Sequence, residues 1–154
     1  METTVKRDEQ QEMQAGADRL AQALSDLVAL TGYGADLDDP EERARALQVL
    51  ADHGQELEDT RDEDGDYDLD EDSFREAAIE ALDEFGLDFY ETGERRPGGE
   101  WDATGWVMVI GTGGPHYELR DDGYVHGWGW FGANKVMSSV DSSVCDYFDG
   151  LTDI

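Results

Sequence analysis

Cationic side chains are scarce in this chain. Lys and Arg together number 11 in 154 residues, against 39 Asp and Glu. Phosphate contacts are made by Lys and Arg, so the shortage argues against direct nucleic-acid binding. It argues equally against docking on anionic membrane surfaces. No run of about 18 apolar residues occurs, so no membrane span is expected. Met1 to Gln14 is polar and acidic, without the apolar core of a signal peptide. The one cysteine, Cys145, cannot form an internal disulfide, and a cytoplasmic setting is expected. A hydrophobic fraction of 38 % suffices for one domain with a modest core.

What the chain has in abundance is negative charge, −28 in all. Self-repulsion at that level is destabilising, so the excess calls for a cause. The acid is concentrated. Residues 35–94 hold 24 acids and four arginines, whereas Gly105 to Met137 holds three acids and two bases. Three explanations compete. Adaptation to high salt would acidify every exposed segment. Disorder is a common fate of like-charge runs. The third is a negative surface aimed at a basic partner, and the uneven distribution favours it.

The local pattern predicts an α+β fold. N-terminal helices pack on a small antiparallel sheet of about four strands, and a short helix ends the chain. The layout reads as a single domain, 1–154. Residues 1–86 form an acidic helical part with an acidic loop at 55–72, and 87–154 form the sheet and terminal helix. Arg7 to Thr31 has helical apolar spacing through Met13, Ala17, Leu20, Leu24, Leu27 and Val28. Asp39-Pro40-Glu41-Glu42 reads as a cap, a first-turn proline and a capping-box glutamate. Ser73-Phe74-Arg75-Glu76 reads as a second capping box opening a third helix, closed by Gly86. Strands are expected at Leu87–Thr92, Trp106–Ile110, His116–Arg120 and Tyr124–Phe131. Asp121-Asp122-Gly123 should turn the last pair. Ser138 or Ser139 should start the final helix.

The stretch Thr60 to Asp72 places Asp62, Asp64, Asp66, Asp68, Asp70 and Asp72 at every second position. In an extended chain these would lie about 6.7 Å apart on one face. DNA carries a charge per roughly 3.4 Å of axis on each strand, so such a row can roughly follow the phosphates along a strand. Glu76, Glu80, Asp83 and Glu84 on the third helix, and Asp39, Glu41 and Glu42 on the second, would add to it. To a protein with a basic channel, this surface would resemble competing nucleic acid. The plainer alternative is a solvated acidic loop. The same stretch also resembles an EF-hand calcium loop. Counted from Thr60, Asp62, Asp64, Asp68 and Glu71 fall at positions three, five, nine and twelve, with Gly65 at six. Thr60 departs from that pattern at position one.

In Tyr124 to Phe131, the residues Tyr124, His126, Trp128 and Trp130 share one strand face. The first expectation is that this face is core. The functional alternative is a secondary interface through Tyr124, Trp128 and Trp130, since a base-stacking platform would want a basic groove and only Arg120 and Lys135 are near. No catalytic residue is expected. Cys145 with His116 or His126 could in principle make a thiol–imidazole pair, but no cation near Cys145 in sequence lowers its pKa. No cofactor is implied, and three isolated histidines do not make a zinc pattern.

Thr112-Gly113-Gly114-Pro115 after an apolar strand, followed by the glycine-spaced aromatic strand, resembles small accessory proteins of phages and plasmids. The acidic first half is similar in character to phage and mobile-element antidefence proteins, the DNA-mimic anti-CRISPR and antirestriction inhibitors. That resemblance implies a non-enzymatic inhibitor acting in the host cytoplasm. It would occupy the basic groove of a CRISPR or restriction complex, and it would not bind nucleic acid itself. An exposed aromatic face would also allow a homodimer. The alternative readings are a calcium-binding protein and a salt-adapted domain.

Overall fold

The structure, a computed structural model, describes residues 2–32, 36–86, 88–111, 116–129 and 135–152, with the side chains of 2–8 and 111 excepted. The fold is α+β. Its order is α1 (Glu2–Thr31), α2 (Pro40–Asp52), α3 (Glu71–Phe85), β1 (Asp88–Arg95), β2 (Trp101–Gly111), β3 (His116–Arg120), β4 (Tyr124–Trp128), β5 (Val136–Ser139) and α4 (Ser142–Asp149). The chain divides into two compact units, Met1–Gln22 with Gly86–Ile154, and Ala23–Phe85.

The first unit is built on a five-stranded antiparallel meander, β1-β2-β3-β4-β5. One strand more forms than the sequence pattern predicts. Val136–Ser139 extends beside β4, and the terminal helix starts later, at Ser142, with Asp141 as its cap. Ser138 and Ser139 resemble helix caps in isolation, but β4 offers them an open edge. β1 and β2 also run further than the expected strands, to Arg95 and Trp101, and pair as one long hairpin.

Register decides the core face. Leu119 pairs with Val125, and Tyr117 with Gly127, which in turn faces Val136. Leu119 and Val125 are fully buried on that side, with Trp106, Met108 and Val136. Met13 and Ala17 of α1 and Val144 and Phe148 of α4 complete this core. Gly127 is needed there, because a Cβ would meet Tyr117 and Val136 side-chain carbons at 2.9 and 2.8 Å. Tyr117 reaches past it and donates its hydroxyl to the Met13 carbonyl. The expectation that Tyr124, His126 and Trp128 form the core is therefore reversed. They lie on the opposite face, where Tyr124 is exposed and the other two are half-buried. Small glycines let the tyrosine and α1 approach the other side, and that side became the interior. Trp130 and Phe131, the Thr112–Pro115 motif and Leu87 lie outside the described residues.

The second unit packs the end of α1 with α2 and α3. Leu24, Leu27, Leu50 and Phe74 are its most buried large side chains. Asp39 caps α2 by accepting from the Glu41 N–H, with Pro40 in the first turn, as the sequence predicts. Glu42 does not complete a capping box; its carboxylate accepts from the Asp36 N–H at 2.9 Å instead. α3 starts two residues before the expected Ser73. Asp70 accepts from both the N–H and the hydroxyl of Ser73, and this tips the cap one turn back.

Candidate functional site

All the acids singled out from the sequence, Asp39 to Glu84, belong to the second unit, which carries 22 acids and four arginines. Asp62, Asp64, Asp66, Asp68, Asp70, Asp72, Glu76, Glu80, Asp83, Glu84, Glu41 and Glu42 are exposed, and Asp39 is half-buried in its capping role. Asp72, Glu76, Glu80 and Glu84 recur every four residues on the side of α3 away from buried Phe74, Ala78 and Ala81. On a helix that spacing is a line of carboxylates about 6 Å apart.

The aspartate row between the helices is not extended, and here the expectation is corrected. Residues 60–68 fold back as a tight hairpin. The Asp62 N–H donates to the Asp66 carbonyl and the Asp68 N–H to the Thr60 carbonyl, both at 2.8 Å, and Arg61 bridges to Tyr67. Gly65 takes the left-handed turn position at φ 84°. The Asp62 carboxylate accepts from the N–H groups of Asp64 and Asp66, each at 2.9 Å. Aspartate binding its own backbone in this way competes with an extended run. Glu63, Asp64 and Asp66 are left at the exposed tip. Asp68 meets the Thr60 hydroxyl at the base, and Asp70 is spent on the α3 cap.

What orders this loop is a residue that the sequence reading passed over. Arg43 is 4 % exposed. Its guanidinium donates to both Asp59 oxygens, at 2.6 and 2.8 Å, and to the carbonyls of Leu37 and Leu69 at 3.2 and 2.5 Å. It also lies 4.0 Å above the Tyr67 ring and 4.9 Å from Phe74. The Arg43 hydrogen bonds hold the Asp59 carboxyl below its usual range, against the opposing effect of burial. The signal was present in the sequence: Arg43 stands three and seven residues before Ala46 and Leu50, on the buried stripe of α2.

Among the described residues no group of three or more His, Cys, Asp or Glu is placed to hold a metal ion. The calcium option through Asp62, Asp64, Asp68 and Glu71 is not assembled: Asp62 faces backbone N–H groups, Asp68 meets Thr60, and Glu71 opens α3. On the sheet, His116 contacts Glu118, His126 contacts Asp122, and Trp128 contacts both imidazole rings. Arg120 is 5.0 Å from the Trp128 ring and donates to Glu118. Burial raises the Cys145 thiol above its ordinary pKa, and nearby Asp149, Asp122, Asp121 and Asp146 add to this, which disfavours a thiolate nucleophile. No described helix is long and apolar enough to cross a membrane.

Comparison with protein-family models, curated proteins and solved structures gives no match for this chain.

Proposed function

We propose that the protein is a non-enzymatic binding protein whose helical unit enters the Lys/Arg-lined groove of a nucleic-acid-binding complex and displaces DNA or RNA from it. The observation that carries this reading is an ordered scaffold whose hairpin-tip and α3 carboxylates face solvent while Arg43 is buried and already paired with Asp59. The α3 line of acids and the hairpin tip are therefore free to meet an external cationic surface. A CRISPR or restriction complex of a host cell is the class of target that the resemblance to antidefence proteins implies. Association through many exposed charges is fast and weakens steeply with salt.

The test is competition. The protein is titrated against a DNA-bound complex of each type, and DNA release is followed by anisotropy. The expected result is stoichiometric release at low salt, fading as salt rises. Replacing Glu63, Asp64, Asp66, Glu76 and Glu80 by their amides leaves the caps and the Asp62 turn intact. Release unchanged by that set of substitutions would sink the proposal.

A further inference from the structure

The hairpin 60–68 is held from beneath by one side chain. Asp59 precedes the hairpin and Leu69 follows it, and both are bonded to the same guanidinium. Arg43 thus closes the base of the loop, and its face packs on Tyr67 inside it. The Leu37 carbonyl ties the same group to the segment before α2. At the other end, Gly65 and the Asp62 carboxylate fix the tip. A surface of this kind needs no ordering when it binds, whereas a loose acidic loop of the same charge does.

We infer that Arg43, paired with Asp59, is the positioning residue of the acidic surface: it carries the sign opposite to that of the binding residues, touches no partner, and sets affinity by holding the hairpin preformed. This rests on the proposed function and adds a claim about geometry that charge alone does not make. If only charge mattered, any change that kept the net charge would leave binding unaltered. If geometry matters, such changes weaken it.

The measurement is the affinity of the full chain for a fluorescent nona-arginine peptide at low salt, alongside far-UV dichroism and tryptophan emission. Arg43→Met with Asp59→Leu keeps the net charge at −28 and removes no exposed acid. Arg43→Lys keeps the charge and loses the two-pronged fork, and it serves should the double variant fail to fold. Gly65→Val strains only the tip, where nothing lies within 4 Å of an added Cβ. Gly65→Asn, which tolerates positive φ, is the conservative control. The expected result is affinity lowered on the order of tenfold in the Arg43 variants and in Gly65→Val, with native affinity kept in Gly65→Asn and both spectra unchanged. Native affinity in a folded Arg43 variant or in Gly65→Val overturns the inference and leaves the binding function standing. Failure of the native protein to bind the peptide at all overturns both.

Discussion

At the scale of single residues, two buried contacts carry consequences that composition does not suggest. Asp59 is the first. Its carboxyl is held low by Arg43, so the stability it contributes is complete above the unfolded carboxylate value of about 3.9. That contribution is lost as pH falls through the lower folded value. Asp59→Asn should remove this part of the acid transition and cost about 3 kcal/mol at neutral pH, because Arg43 would stay buried without a counter-charge. Urea unfolding at a series of pH values measures both effects. Gly16 and Tyr117 are the second. A Cβ at Gly16 would collide with the Tyr117 hydroxyl. Gly16→Ala is expected to destabilise the sheet unit by about 1–3 kcal/mol, and Tyr117→Phe in the same chain should return part of that loss. No recovery in the double variant would show that the glycine is needed for something else.

At the scale of elements, the sequence revealed most where a signal was local. Asp39-Pro40 opens α2 as read, and Asp121-Asp122-Gly123 turns β3 into β4 with Gly123 at φ 87°. The misreadings share one physical cause, competition between neighbours. Ser73 offered a cap, but Asp70 is the stronger acceptor and lies one turn earlier. Asp70→Ala should therefore speed amide exchange in the first turn of α3, whereas Ser73→Ala should leave it slow. The reverse order would restore the capping box at Ser73. The strand at Val136–Ser139 exists only because a distant strand pairs with it, and no window of sequence around it contains that information. The exposed acids were legible one by one. Their arrangement was not, because alternation along an acidic run says nothing about which carboxylate turns inward onto its own backbone. Arg43 was legible only as a misplaced polar residue on an apolar stripe.

At the scale of the whole molecule, the charge separates with the units. Ala23–Phe85 holds 22 acids and four arginines, and the remainder holds 17 acids and seven bases. Molar salt, with a screening length of about 3 Å, should therefore raise the melting temperature of the helical unit more than that of the sheet unit. Every tryptophan lies between residues 101 and 130. Tryptophan emission then reports the sheet unit, and dichroism at 222 nm is weighted towards the helices. Equal salt shifts for the two probes would mean that the acids are not the dominant source of repulsion.

The chain order of the two units has a consequence for biosynthesis. Ala23–Phe85 is contiguous, so all of it has been made before the first strand residue leaves the ribosome. The sheet unit is split around it: the carbonyl that the Gln14 amide bonds, that of Met137, is 123 residues away. The acidic unit can thus mature early, while Met13 and Ala17 wait for their covering strands until synthesis is nearly finished. In nascent chains arrested near residue 130, long enough for α3 to have cleared the exit tunnel, limited proteolysis should spare α2 and α3 and cut the first 22 residues, and that protection should extend to the N-terminus only once β5 has emerged.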